Sequence, residues 1–360
     1  MSVYIGWQFL VSFAAIFVVL LSLIFLIDSI ELLRRAASKP DVGFSLIMEM
    51  AALKLPHMGQ QLFPFAVLFG AMSAFWRLTR NHELVVSRAA GVSAWQFMLP
   101  VLLLGLVLGV LKVAVFNPLT SVTLSRFERV EAAAFKGQTS ILALSDSGLW
   151  LRQSNAEGQS VIYAKNVLQQ GSEVELGAVN VFVYEGADKF VRRIDSDSAK
   201  LDDGFWHMRK VWTHTPDEAS QFSEELWLET DLTLVSIQDN FAPPETMSFW
   251  DLPDFIKTLE KAGFSAIRHR LHWHTLLATP LLMFAMVLIA ATFTLRQSRR
   301  GGTVFVVTGG VLTGFLLYFF SDVVFALGLS DSIPVTLAAW TPSGVTTLLG
   351  LAMLLHLEDG

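Results

Sequence analysis

The chain contains no cysteine and few charged residues. Asp, Glu, Lys and Arg together make up 16% of its 360 residues, and the formal net charge is −6. Without cysteine, the protein cannot form disulfides, thiolate metal sites, iron–sulfur clusters, cysteine nucleophiles or cysteine-linked lipid anchors. The acidic balance also gives no overall indication of nucleic-acid binding.

Common catalytic motifs are missing as well. There is no G-x-x-x-x-G-K-[ST] loop, so we expect no nucleotide hydrolysis by the chain alone, and neither G-x-S-x-G nor H-E-x-x-H occurs. His269, His272 and His274 lie close together, but no carboxylate stands at ligand spacing, which favours packing at a membrane interface over a metal site. The sequence therefore predicts a non-catalytic chain without a metal or cofactor of its own.

Apolar sequence, in contrast, is abundant. Hydrophobic residues make up 53% of the chain and collect towards its two ends. A helix that crosses a bilayer core of about 30 Å needs roughly 20 mostly apolar residues. Six segments are predicted as spans, three on each side of a polar block: 7–27, 60–76 with a backward extension through 51–55, 95–116, 271–295, 303–329 and 335–357. Ser93 and Gln96 form a capping box at the start of the third.

The polar block has a different periodicity. Runs such as QSVIYAKNV and VNVFVYEG alternate apolar and polar residues between Gly, Asn, Asp and Ser turns. This pattern predicts an all-β sandwich, jelly roll or barrel over 118–246, either with an ordinary closed core or with a groove for lipid tails. The fold class is therefore an α-helical membrane protein with six spans, in segments 1–117 and 271–360, and an inserted all-β, jellyroll-like domain.

A connecting helix is predicted between the β domain and the fourth span. Leu252, Phe255, Ile256 and Leu259 form one apolar stripe within 247–270. A short amphipathic helix beside a span is typical of a segment that lies in the membrane interface.

Basic residues are distributed against the positive-inside rule if the N-terminus is cytoplasmic. Arg34, Arg35 and Lys39 then follow the first span on the outer side. Either the chain is inverted, or these residues have a function that outweighs the topogenic bias. Lys112 and Asp322 lie near predicted span ends, so we expect Lys112 to extend to the interface rather than take part in a proton relay.

A short helix over about 81–91 is predicted between the second and third spans. Asn81 can cap it, Glu83 lies in its first turn where the helix dipole favours an anion, and Gly91 can end it. Such a helix can lie flat at the membrane face and dock into a groove on a partner. A stiff connecting loop is the alternative.

Several stretches resemble the six-span permeases of lipopolysaccharide transport, the LptF/LptG family, and more closely its LptG branch. They are ELLRRAASKPDVGFSLIMEMAALKLPHMGQQLFPFAVLFGAM, RLTRNHELVVSRAAGVS, FNPLT and GLWLR, within the three-plus-three plan around a β insertion. The resemblance covers essentially the whole length, and NHELVVSRAAGVS is its most specific part. One departure is that no Lys or Arg precedes the first span, so the N-terminus itself does not support a cytoplasmic start.

The resemblance implies a location, partners and a function. The location is the bacterial inner membrane, with the N-terminus in the cytoplasm and the β domain in the periplasm. The implied partners are LptF in a heterodimer, two copies of the ATPase LptB, which uses ATP and magnesium, and LptC. The implied function is to extract lipopolysaccharide from the inner membrane and pass it to a periplasmic β bridge.

Three groups of site residues follow from this resemblance. Basic residues at the periplasmic headgroup level are assigned to the phosphates and core of lipopolysaccharide, because cationic side chains bind phosphate and guanidinium groups do so bidentately. These basic residues are Arg34, Arg35, Lys39, Arg126 and Arg129. An acyl-chain cavity is assigned to Phe65, Phe69, Phe319 and Phe320. Coupling to the ATPase is assigned to Glu83, Arg88 and Gly91. The alternatives are that the basic residues anchor to phospholipid head groups and that the phenylalanines face lipid.

Two other functional classes stay open. An ion-coupled secondary transporter of a small solute needs charges or broken helices at mid-membrane, and Pro64 and Pro280 are the only indications of these. A membrane-anchored periplasmic scaffold would instead use the β domain as a docking module.

Overall fold

The computed structural model describes most of the chain. The described residues are 2–37, 43–81, 83, 86, 89, 91, 93–136, 142–145, 148–155, 158–170, 173–185, 189–202, 204–216, 218–230, 232, 242–261, 264–294 and 302–359. They divide into two compact units. One comprises Met1–Phe135, Glu245–Trp250 and Arg270–Gly360, and the other comprises Lys136–Pro244 and Asp251–His269.

Long helices dominate the first unit. In chain order, the helices of the described protein are α1 (Ser2–Ala36), α2 (Phe44–Arg80), α3 (Ala94–Leu111), α4 (Asn117–Glu131), α5 (Leu252–Lys261, in the second unit), α6 (Ile267–Thr294), α7 (Gly302–Leu329) and α8 (Val335–Asp359). Six helical segments of the described residues are long and apolar enough to cross a membrane. The predicted capping box also forms, since the Ser93 hydroxyl accepts from the Gln96 N–H and the Gln96 side chain accepts from the Ser93 N–H.

The third span is much longer than the sequence predicted. A π-helical turn at Lys112–Phe116 joins α3 to α4, and a second one at Ala132–Lys136 continues α4. The sequence placed the start of the β domain at residue 118, but the helix extends to Lys136. It continues because the polar extension has an apolar side, on which Leu124 and Phe127 are buried with residues of α1 and α2.

Glycines allow close helix contacts in the first unit. A Cβ atom on Gly109 of α3 would lie 2.5 Å from the Cα of Pro280 on α6. A Cβ atom on Gly70 of α2 would lie 2.8 Å from the Cα of Phe13 on α1. The backbones of these helix pairs are therefore in contact, as small residues permit in membrane proteins.

The second unit is built on a seven-stranded antiparallel sheet with consecutive strand order. Its strands are β1 (Leu142–Ser145), β2 (Gly148–Asn155), β3 (Gly158–Gln170), β4 (Glu173–Glu185), β5 (Lys189–Asp202), β6 (Phe205–His214) and β7 (Gln221–Glu229). Each strand pairs with the next, so the described strands form an up-and-down meander and not the Greek-key order of a strict jelly roll. The six spans and the inserted all-β domain confirm the predicted fold class.

The sheet curls and fills its own inner face. Ile162, Val181 and Ile194 lie opposite one another on β3, β4 and β5, and each is almost fully buried. Beyond the end of β7, the Thr230 hydroxyl donates to Gln153 Oε1 of β2 over 2.6 Å, and Gln153 Nε2 donates to the Glu229 carbonyl over 3.3 Å. These bonds close the sheet between its second and last strands.

Candidate functional site

Arg34 and Arg35 end α1, and both contact carboxylates. Arg34 Nη2 and Arg35 Nε lie 2.8 and 3.0 Å from Oε1 of Glu31, one turn earlier in the same helix. Arg35 Nη1 also lies 3.6 Å from Oε1 of Glu131 at the end of α4. The end of α1 is therefore tied to the end of the long third span.

Arg126 and Arg129 lie on the exposed side of α4. Arg126 Nη2 is 3.0 Å from Glu49 Oε1 at the start of α2, and Arg129 Nε donates to the Ser125 carbonyl over 3.3 Å. Residues three apart share a helix face, and both arginines are exposed while Phe127 between them is buried. The structure thus brings four of the five predicted basic residues to one junction of α1, α2 and α4. The fifth, Lys39, lies outside the described residues.

Beneath this junction is an apolar cluster that holds the three helix ends in place. Its buried members are Leu32, Ala36, Ile47, Met50, Ala51, Leu124 and Phe127. A partly buried ion pair borders it, with Lys54 Nζ 2.5 Å from Asp28 Oδ1 and 5.6 Å from the centre of the Phe127 ring. The pairing of Lys54 with Asp28 was not predicted. Its signal in the sequence is two opposite charges, each isolated in an apolar run.

The carboxylates change the electrostatics of the junction. A count of basic residues alone predicts a strongly positive patch, but Glu31, Glu49 and Glu131 lie within ion-pair distance of three of the arginines. The side chains of Arg34 and Arg126 are 74% and 62% exposed, and such exposed ion pairs contribute little stability. An incoming phosphate can therefore replace a carboxylate on these arginines.

The predicted coupling segment lies at the other end of α1. Glu83, Val86 and Ala89 are helical, and Gly91 has φ +84°, a left-handed conformation that suits glycine after a helix end. Glu83 Oε1 accepts hydrogen bonds of 3.3 Å from the Tyr4 hydroxyl and from Asn81 Nδ2. The contact with Tyr4 was not predicted. Arg88 lies outside the described residues.

The four predicted acyl-cavity phenylalanines come from two helices, α2 and α7, and have different surroundings. Phe65 of α2 packs against Gly314 and Tyr318 of α7, and Phe69 of α2 lies beside Gly310 of α7. Phe319 faces outward, and Phe320 packs in a separate cluster with residues of α6 and α8. Within this chain the four side chains are therefore not brought together, because successive residues of a helix point about 100° apart, and their assignment to an acyl-chain cavity stays a prediction.

Lys112 does not extend to the interface as predicted. Its exposure is 8%, because the helix continues far beyond the predicted span end and leaves this side chain inside the bundle. It lines a cavity with residues of α6, α7 and α8.

Two other expectations concern metals and broken helices. Among the described residues, no group of three or more His, Cys, Asp or Glu side chains is placed to hold a metal ion. His269 Nε2 instead lies 3.1 Å from the Ala242 carbonyl oxygen, and its ring packs against Phe255. Pro64 and Pro280 lie inside continuous helices, so neither span is interrupted there.

Comparison with known proteins gives consistent matches over most of the chain. A model of the family described as lipopolysaccharide export system permease LptF/LptG matches residues 3–356. The lipopolysaccharide export system permease protein LptG of Escherichia coli (strain K12) is 26% identical over 315 residues, or 84% of each chain. The protein of the same name from Haemophilus influenzae is 24% identical over 354 residues, or 94% of each chain.

Proposed function

The chain belongs to the LptF/LptG family of lipopolysaccharide export system permeases, and we propose that it is the LptG-type subunit of an ABC transporter that extracts lipopolysaccharide from the bacterial inner membrane. The observation that carries this proposal is the arginine junction of α1, α2 and α4 over an apolar cluster. A lipid with phosphorylated sugars needs several cationic groups at one depth, and the buried apolar cluster holds together the helix ends that carry them.

Chain connectivity supports a single side of the membrane for the residues of this junction. The end of α1, the start of α2 and the end of the third span share that side, and β1 is the next strand along the chain. The segment around Glu83 lies between the second and third spans and is therefore on the opposite side. We assign the first side to the periplasm and the second to the cytoplasm.

Phosphate exchange explains how the junction handles its cargo. Before lipid arrives, Arg34 is paired with Glu31 and Arg126 is paired with Glu49. A lipid phosphate carries more charge than a carboxylate and binds guanidinium bidentately, so it displaces the glutamates. The glutamates return when the lipid leaves. The exchange lets lipopolysaccharide bind and also be released, without a covalent step.

The apolar faces of α1 and α7 supply the surface for the acyl chains and for the partner permease. These two spans are the least covered by the rest of the described chain, and Val18, Leu23 and Phe319 are among their exposed side chains. We propose that LptF covers part of these faces in a heterodimer. The lipid tails then lie between the two permeases.

Coupling to ATP hydrolysis passes through α1. Glu83 contacts Tyr4 at one end of this helix, and Arg34 and Arg35 stand at its other end. A helix of 35 residues is about 50 Å long, so one rigid element connects the two membrane faces. We propose that the LptB dimer, which uses ATP and magnesium, docks at the segment around Glu83. LptC and the β unit then receive the lipid on the periplasmic side.

Photocrosslinking in membranes tests this function. A crosslinker is placed at Arg34, at Arg126 and, as a control, at Leu103, which faces outward on α3. We expect capture of lipopolysaccharide at the two arginine positions and not at Leu103, with a yield that ATP and LptB change. Capture of phospholipid alone at all three positions would instead assign the arginines to membrane anchoring.

A further inference from the structure

A cavity in the helical unit contains one buried cation and one carboxylate. Its volume is about 220 Å³, and its lining comes from the first π-helical turn and from α6, α7 and α8. The polar lining residues are Lys112, Thr275, Thr279, Ser321, Asp322 and Ser343. We propose that this cavity binds the phosphoethanolamine head group of a membrane phospholipid.

Lys112 is the cationic side of the site. It is more than nine-tenths buried, and it has neither an ion pair nor a hydrogen bond within the described part of the chain. A buried ammonium group without a partner carries a large desolvation cost. Ionisable side chains inside a span generally mark a ligand or ion pathway, and π-helical turns often occur at functional sites. The lysine therefore needs an anion from outside the chain.

Asp322 is the anionic side. It is exposed on α7 and also lines the cavity, and it too forms no ion pair or hydrogen bond with the described residues. Lys112 and Asp322 line the same cavity without pairing with each other. The lining thus carries one positive and one negative charge, and a zwitterion matches both.

The hydroxyl groups of the cavity refine the choice of zwitterion. Each donates its proton to a backbone carbonyl of its own helix: Thr275 to Leu271, Thr279 to Thr275, Ser321 to Leu317 and Ser343 to Trp340, over 2.7 to 3.0 Å. Each hydroxyl oxygen can then only accept a further hydrogen bond, and the Asp322 carboxylate is likewise an acceptor. The ligand must therefore carry N–H or O–H donors near its positive charge.

Phosphoethanolamine meets these requirements together. Its phosphate accepts from Lys112, and its primary ammonium has three N–H donors for Asp322 and the hydroxyl oxygens. Phosphocholine is also a zwitterion but has no N–H donor, and phosphatidylglycerol lacks the cation. The cavity volume of about 220 Å³ is many times the space that one water needs, so a head group of this size can be accommodated.

Native mass spectrometry of the purified full chain tests the assignment. The protein is exchanged into nanodiscs of phosphatidylcholine with equal minor fractions of phosphatidylethanolamine and phosphatidylglycerol, without lipopolysaccharide, and retained lipids are counted. We expect preferential retention of one phosphatidylethanolamine, by about tenfold over phosphatidylcholine, because charge-assisted hydrogen bonds distinguish the two. Neither ATP nor lipopolysaccharide is present, so the result does not depend on the export function.

Two variants test the contributions of the two charges one at a time. Lys112→Met should remove the preference while leaving the fold intact, because it replaces an unpaired buried charge with an apolar chain of similar length. Asp322→Asn should switch the preference to phosphatidylglycerol, since the site then carries a net positive charge. The matched controls, Lys257→Met and Asp254→Asn, change an exposed pair on α5 and should retain the wild-type preference. Equal retention of all three lipids by the wild type, or an unchanged preference in both cavity variants, would overturn the proposal.

Discussion

Arg126 on α4 and Glu49 on α2 lie 3.0 Å apart, although 77 positions separate them in the sequence. The arginine is therefore neutralised before any lipid reaches it. The junction is better described as a set of exchangeable ion pairs than as a fixed positive patch. Its affinity for phosphate depends on the glutamates as much as on the arginines.

Removing the competing carboxylate should strengthen lipid binding. In Glu49→Gln, Arg126 loses its ionic partner and becomes available to phosphate without displacement. We expect roughly threefold more lipopolysaccharide to remain bound to the purified transporter, because exposed ion pairs are weak. Bound lipid per complex can be counted by native mass spectrometry. Glu185→Gln, which removes the exposed pair with Lys189 in the β4–β5 hairpin, serves as the control and should not change the count.

The contact between Tyr4 and Glu83 should affect coupling more than folding. Tyr4→Phe removes a single hydrogen bond to the carboxylate, and Glu83→Ala removes the carboxylate itself. We expect roughly fivefold lower lipid-stimulated ATP hydrolysis by the assembled transporter in Tyr4→Phe, and a larger loss in Glu83→Ala. Thermal unfolding of the permease should hardly change. Normal LptB co-purification and full stimulation in both variants would show that this contact has no part in coupling.

Close packing of α3 against α6 should make Gly109 intolerant of a methyl group. The added Cβ of Gly109→Ala would lie 2.5 Å from the Cα of Pro280, so the two backbones must separate. We expect about 1–3 kcal/mol of destabilisation and a lower midpoint in a detergent thermal-unfolding assay. Gly344→Ala is a matched control on α8, where the added atom meets nothing within 4 Å. Because alanine favours the helix over glycine, Gly344→Ala should be neutral or slightly stabilising, and a similar loss in both variants would show that this contact is not the cause.

The closure of the curled sheet should depend on Thr230. In Thr230→Val, the buried Gln153 side chain loses its hydroxyl donor, and an unsatisfied buried polar group costs about 1–3 kcal/mol. Backbone amides of β2 and β7 should then exchange hydrogen faster in the full chain, while those of β4 and β5 stay protected. Ser223→Ala at an exposed site on β7 is the control. Uniform protection in Thr230→Val would show that the sheet closes without this bond.

The elements of the fold could be predicted because their signals are local. Span length, the alternation in the polar block and the capping box of Ser93 and Gln96 can each be recognised within a short window of sequence. The partners of the predicted site residues could not, since Tyr4 and Glu83 are 79 positions apart. Such pairs depend on how helices pack, and no local pattern specifies that packing.

Lys112 shows a second limit of local patterns. A lysine at the end of an apolar run is expected at the interface, and the error came from the position of the helix end, not from the chemistry of lysine. The continuation to Lys136 depends on tertiary contacts of Leu124 and Phe127. Burial of Lys112 is thus a consequence of packing elsewhere in the molecule.

The π-helical turn at Lys112–Phe116 also accommodates one residue within the third span. A ring closed between residues i and i+5 contains one residue more than an α-helical ring, so the helix after it continues with little change in the direction of its side chains. In an uninterrupted α-helix, one added residue would instead rotate every later side chain by about 100°. The wide turn therefore keeps Arg126 directed towards Glu49 in a span that is one residue longer.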